Sequence, residues 1–235
     1  MNDHNQKGNQ NTADKRVLTL FALGFRPFFL AAGFFAVLLM AVFVLGLVTG
    51  VWHYNYFPLT LWHAHEMIFG YAAAVMAGFL LTAVRNWTGM DTATGKALML
   101  LCLLWLAGRL ISAVPSLPGW LIAAVDIAFL PVLALVILRP ILKSKQRHNI
   151  PVPMLLMLMA FGHAIVYAGV LELPFGSIGN GLTLGLASLL MLISVIGGRV
   201  MPFFTERGLP GSVAIKRNWV EQAATPSIAL WLLCE

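Results

Sequence analysis

Residues 28–51 read FFLAAGFFAVLLMAVFVLGLVTGV, 24 consecutive positions without a charged side chain. A helix crosses the hydrocarbon core of a bilayer in about 20 apolar residues, so this stretch is read as a membrane span. It is too long for a signal-peptide core of about 7–15 residues, and no clear cleavage site follows it. Five similar stretches lie at about 62–84, 97–114, 120–141, 152–172 and 179–201. Helix breakers punctuate the spacers: Tyr56-Phe57-Pro58, Pro115-Ser-Leu-Pro118-Gly119, Pro151-Val-Pro153 and Pro174-Phe-Gly176. The expected fold is all-α: a polytopic transmembrane helix bundle with six complete spans and the start of a seventh. That seventh run begins near Ile228 and stops at Glu235, too short to span. Residues 1–20 are read as a disordered cytoplasmic tail, and 21–235 as a transmembrane helical domain cut in mid-helix.

Composition points the same way. Of the 235 residues, 60% are hydrophobic and 10% are charged, and the mean hydropathy is +0.85. Soluble domains are about 45–50% apolar and about 25% charged, so a soluble, disordered or nucleic-acid-binding chain is excluded. The net charge of +6 reflects topology instead. Fourteen of the 15 Lys and Arg residues fall in the N-terminal tail and in alternate spacers: Lys7, Lys15, Arg16 and Arg26; Arg85 and Lys96; Arg139, Lys143, Lys145 and Arg147; Arg199, Arg207, Lys216 and Arg217. The positive-inside rule then places the N-terminus in the cytoplasm. Cys102 and Cys234 lie far apart in apolar stretches and suggest no disulfide framework.

Orientation converts position into depth. His53, His63, His65, Glu66, Arg109, Asp126 and Glu172 all fall toward the outer leaflet, with His163 past the middle of span 5. Ionisable groups inside spans cost about 2.5–3.5 kcal/mol each for Asp, Lys and Arg on insertion scales, so they mark function or internal pairing. Arg109 and Asp126 have matching depth in neighbouring spans and are expected to form an ion pair that neutralises both.

Trp62-His63-Ala64-His65-Glu66-Met67 is the densest constellation. On a regular helix His63, Glu66 and Met67 share a face, whereas His63 and His65 do not. Below them Gly70, Ala74, Ala77 and Gly78 make a face small enough for close helix packing. If the helix began at His65, both histidines would point inward. Each histidine suits a metal, and Glu66 suits the outer shell that orients an imidazole; an interfacial His-Glu cap is the plainer alternative. His163 and Tyr167 are at i and i+4, so His163 is either a ligand or half of an interhelical bond. Met154, Met157 and Met159 are soft copper(I) donors by type, but ordinary packing explains them better. Arg199, in Gly197-Gly198-Arg199-Val-Met201-Pro202, and Arg26 both suit either an anionic propionate or a lipid headgroup. The Gly pair and Pro202 suggest an irregular helix end there. Walker A, GxGxxG, HExxH and GxSxG motifs are all absent, which weakens hydrolase and nucleotide-driven pump readings.

Taken together, Gly24-Phe25-Arg26-Pro27-Phe28-Phe29, Trp62-His63-Ala64-His65-Glu66-Met67-Ile-Phe-Gly70, Leu80-Leu81-Thr82-Ala83-Val84-x-Asn86-Trp87-Thr88-Gly89, Gly162-His163 and Gly198-Arg199-x-x-Pro202-Phe203-Phe204-Thr205 resemble the NnrS family over about residues 20–215. The resemblance implies a bacterial inner-membrane protein with haem and copper, involved in the response to nitric oxide and protection from nitrosative stress. Family members are longer, with about twelve spans, so the chain resembles an N-terminal half whose site a missing C-terminal half would complete. By the same resemblance His63, His65 and His163 are the haem or copper ligand candidates, with Glu66 and Tyr167 behind them and Arg26 and Arg199 as further cofactor contacts. Nitric oxide or nitrosylated iron is the implied small ligand, the lipid bilayer the surrounding partner, and nucleic acid no partner. Two other readings remain: half of a secondary transporter, which broken spans would favour but continuous early spans do not, and a cytochrome b-type electron carrier, which calls for histidine pairs at matched depth.

Overall fold

The computed structural model describes residues 19–52, 56–112, 114 and 116–209, with isolated positions at 211, 223, 226, 227 and 230. The tail before residue 19, His53 and, but for Leu230, the apolar run from Ile228 lie outside the described residues. Among the described residues every regular element is helical: α1 Phe25–Thr49, α2 Leu59–Thr88, α3 Gly95–Ile111, α4 Gly119–Lys143, α5 Pro151–Val170 and α6 Ile178–Gly208. Five of these are long and apolar enough to cross a membrane. The exception is α3, which spans 17 residues and ends at Ile111 rather than the expected 114. It stops one turn short of the Pro115-to-Pro118 segment, whose prolines cannot donate to a continuing helix.

The chain forms two compact units, one through Ile150 and one from Pro151. In the first, α1 packs on α2, α3 on the first half of α4, and the second half of α4 on the lower half of α2. Lipid tails are as apolar as leucine, so helix association in a bilayer depends on close van der Waals packing and on polar bonds rather than on burying greasy surface. The small face of α2 supplies the first. A Cβ on Gly78 would come within 2.7 Å of the Phe29 ring and 3.1 Å of Phe28 Cβ, so α1 sits where only glycine admits it. Ala74 and Ala77 on the same face are fully buried. The outer face of α1, including Phe34, Val37 and Val48, is exposed, as a lipid-facing surface requires.

Two spans run on from end to end but are not regular α-helix throughout. Helix α2 widens into a seven-residue π segment over Glu66–Ala72. Helix α4 breaks at Ala128, between Gly119–Ile127 and Phe129–Lys143. Pro131 explains the second break: it has no N–H to give the Ile127 carbonyl, and its ring crowds the preceding turn. Conversely, α6 runs unbroken through Gly197, Gly198 and Pro202 to Gly208, so the irregular end expected at Gly197 is not there. Glycines one turn before Pro202 leave room for its ring. In the second unit α5 and α6 touch backbone to backbone. A Cβ on Gly162 would lie 2.9 Å from Gly185 N and 3.0 Å from the Gly181 carbonyl.

Candidate functional site

Four ionisable side chains of the first unit gather in one buried cluster. Helix α2 begins at Leu59, not at His65. Its first two turns are regular, and its π segment then starts at Glu66. A π turn holds more residues than an α turn, so consecutive side chains are separated by a smaller angle and two neighbours can face inward together. His65 and Glu66 do so, at 1% and 3% exposure. Met67 is turned outward and exposed, and His63 is half-buried, so the expected His63-Glu66-Met67 face does not form.

Glu66 splits its two carboxylate oxygens. Oε1 lies 3.2 Å from His65 Nδ1, and Oε2 accepts from Arg109 Nη1 at 2.6 Å. Arg109 rises from the last turn of α3 and is itself more than nine-tenths buried. Its Nη2 donates to Asp126 Oδ1 on α4. The other Asp126 oxygen stands 3.6 Å from His65 Nε2, beyond hydrogen-bond range. His65 thus lies between two carboxylates, its ring also flanked by Phe57 and Phe69 at centroid distances of 5.0 and 5.3 Å.

The backbone is cut to fit these groups. A Cβ on Gly70 would fall 2.6 Å from Glu66 Oε2 and 2.9 Å from Arg109 Nη1. A Cβ on Gly108 would fall 2.6 Å from Asp126 Oδ1 and 3.2 Å from Asp126 Cα. Trp105, one turn before Arg109, donates its indole N–H to the Gly70 carbonyl at 3.0 Å, tying α3 to the π segment. Phe35 of α1 meets the Trp105 ring edge-on at 5.5 Å.

Arg109 therefore serves two carboxylates, not the single partner Asp126 that depth alone suggested. With His65 neutral, the cluster of Glu66, Asp126, Arg109 and His65 carries one net negative charge. A proton on the imidazole, or a cation beside Nε2, would balance it.

The remaining candidates lie on other turns and helices. His63 stacks on Phe43 of α1, with centroids 4.0 Å apart and planes 17° from parallel, and its buried Nδ1 has no hydrogen-bond partner. His163 and Tyr167, in the second unit, are both buried on one face of α5 with ring centroids 5.3 Å apart. Arg26 donates to the Thr19 carbonyl at 2.8 Å and lies 6.0 Å from the Phe25 ring. Arg199 is half-exposed on α6. Sequence reasoning had linked neither Glu66 to Arg109 nor Gly70 and Gly108 to the charged groups. The available signal was two glycines facing three ionisable residues in adjacent spans, which becomes specific only once the helix pairing is known.

No curated protein and no solved structure matches the chain. The family model described as NnrS protein matches residues 19–235, most of the chain, and the chain accordingly belongs to the NnrS family.

Proposed function

We propose that the chain is a haem- and copper-binding protein of the bacterial inner membrane that acts in the response to nitric oxide and protects against nitrosative stress. Six spans, with α3 as the short third and the N-terminus in the cytoplasm, are part of this reading. Family membership supports the role, and one observation in the chain carries the metal: the buried His65 imidazole has Nε2 3.6 Å from a carboxylate oxygen of buried Asp126. This donor set fits a metal ion. Glu66 lies against Nδ1 and orients the ring with Nε2 as the ligand atom, as outer-shell carboxylates commonly do. Asp126 stands beside Nε2 with a carboxylate oxygen. Imidazole and carboxylate suit copper or iron, and a bound copper or haem iron would supply one-electron chemistry and a coordination site for nitric oxide.

His63 and His163 are the other candidate ligands. The buried Nδ1 of His63 offers a second imidazole donor, and Tyr167 stands behind His163 as the residue that sets its ring. Arg26 and Arg199 suit the carboxylates of a haem edge. The chain's own task is to hold the imidazoles, exclude water and balance charge through Arg109. The test is an absorption spectrum of the detergent-purified protein, oxidised and dithionite-reduced, with metal analysis of the same sample. A Soret band that shifts on reduction and again with nitric oxide, with copper present, is expected. His63→Ala, His65→Ala and His163→Ala variants should then lose haem or copper while still inserting into the membrane. Full retention of spectrum and metal in all three would reject the ligand assignment.

The irregular turns in α2 and α4 are the feature on which a second reading, half of a secondary transporter, would build. A folded, colourless, metal-free protein would promote it.

A further inference from the structure

Helix α2 is regular on both sides of its π segment. A π turn bonds residues five apart where an α turn bonds residues four apart, so the segment over Glu66–Ala72 takes up one residue for which a regular helix has no place. That surplus decides where His65 points. In an α-helix His65 and Gly70, five positions apart at about 100° each, would face about 140° away from one another. A π turn brings them toward one side, and His65 thereby reaches Asp126 from the same side on which Gly70 faces Glu66 and Arg109. A surplus residue costs least at a helix end, where backbone groups already lack helical partners. Only the short segment Leu59–His65 separates the π turns from the start of α2, so they need a reason to stay inside the helix. The Gly70 carbonyl supplies one. It accepts from the Ala73 N–H, three residues on, and also from the Trp105 indole N–H at 3.0 Å. A side chain inserted into the backbone ladder is one of the few causes of helix distortion. Trp105 is buried, with its ring edge-on to Phe35 of α1, so this donor is fixed in place.

We propose that Trp105 is the positioning residue for His65: its indole N–H pins the surplus residue of α2 between Glu66 and Ala72, and without that bond the surplus moves to the Leu59 end and turns His65 away from Asp126. A slip of one residue rotates every position before Gly70 by about 100°, which is enough to take an imidazole from the core to the opposite flank of the helix. The effect on metal rests on the reading of His65 as a ligand, whereas the direction in which His65 points does not.

The test is carbethoxylation of the full chain in detergent micelles by diethyl pyrocarbonate, without added metal, with the modified histidines located by mass spectrometry. His65 is buried and should react slowly, and His148, exposed in the turn before α5, is the internal reference. Trp105→Phe keeps a ring against Phe35 and removes the donor. It should raise modification of His65 relative to His148 by about tenfold, the loss of one hydrogen bond. Leu98→Ala, fully buried on α3 about two turns before Trp105, lowers stability without removing the donor and should leave the ratio unchanged. Deleting Met67, whose side chain is exposed, removes the surplus itself, so that His65 and Gly70 stand four apart on one face of a regular helix. In that background His65 should stay protected and Trp105→Phe should have no effect. Cu(I) affinity, from competition with bathocuproine disulfonate, should fall about tenfold in Trp105→Phe and recover when Met67 is also deleted. Unchanged copper affinity in His65→Ala would reject the ligand reading alone, and the protection ratios would still decide the role of Trp105. A His65 that stays protected in Trp105→Phe, or that becomes equally reactive with and without Met67, would overturn the proposal. Phe35→Leu, which loosens the indole without removing it, is the second variant should Trp105→Phe not fold, and it should raise the ratio in the same direction.

Discussion

Replacing Gly108 by Ala probes the contact on which the buried cluster depends. The added methyl would lie 2.6 Å from Asp126 Oδ1 and 3.2 Å from Asp126 Cα, well inside the roughly 3.5–4.0 Å at which non-bonded carbon atoms pack best. Relief comes by turning the Asp126 carboxylate away, which loses a charged hydrogen bond to Arg109 of about 1.5–3 kcal/mol, or by separating α3 from α4, an overpacking cost of about 1–3 kcal/mol. Alanine returns roughly 0.5–1 kcal/mol in helix propensity. The net expectation is destabilisation by about 2 kcal/mol. Gly33 in α1 is the matched control, because nothing lies within 4 Å of its Cβ position. Gly33→Ala should be neutral or stabilise by up to about 1 kcal/mol. Equilibrium unfolding in mixed micelles, followed by tryptophan fluorescence against added SDS, measures the gap, which should be about 3 kcal/mol, or over a hundredfold in equilibrium constant. On an Asp126→Ala background, Gly108→Ala should lose most of its effect, since the group it collides with is gone. Equal effects at Gly108 and Gly33, or no coupling to Asp126, would refute the packing argument.

Arg109→Met strands Glu66 and Asp126 and should destabilise the protein by about 3–5 kcal/mol in the same assay. The triple variant Glu66→Gln, Arg109→Met, Asp126→Asn should recover more than half of that loss, and a triple no better than the single would show that packing rather than charge is lost. Trp105→Phe keeps the contact with Phe35 but removes the donor to Gly70; a cost of about 1–3 kcal/mol is expected, with faster amide exchange across residues 66–72, and unchanged exchange there would count against the tie. A periplasm-specific reporter inserted in the 143–150 spacer should be silent and a cytoplasmic one active, while the reverse would overturn the orientation.

The helices were legible because hydropathy in a membrane is nearly one-dimensional. A run such as 28–51 must satisfy its own backbone as a helix wherever it sits in the bundle. Even so, hydropathy carried α3 past Ile111, because a length rule admits Ser112 and Val114 without their having to be helical. It also passed over the irregular turns in α2 and α4. Pro131 was visible as a residue, but a lone proline in an apolar span kinks some helices and is accommodated in others, as Pro202 is in α6.

The site divides along the same line. That Glu66, Arg109 and Asp126 needed partners or a functional role inside the bundle followed from sequence, since such groups are costly to expose to lipid. Which partner each takes did not, because helical periodicity assumes a regular helix and the π segment over Glu66–Ala72 changes every direction within it. Only the tertiary structure turned His65 rather than His63 toward Asp126, gave Arg109 two carboxylates, and placed Gly70 and Gly108 where any side chain would displace them. Sequence alone determined the helical membrane class, the family and the ionisable residues that had to be reconciled in the interior. The tertiary structure decided the pairing, because angstrom-scale contacts between helices distant in sequence depend on turn geometry and backbone approach, neither of which hydropathy encodes.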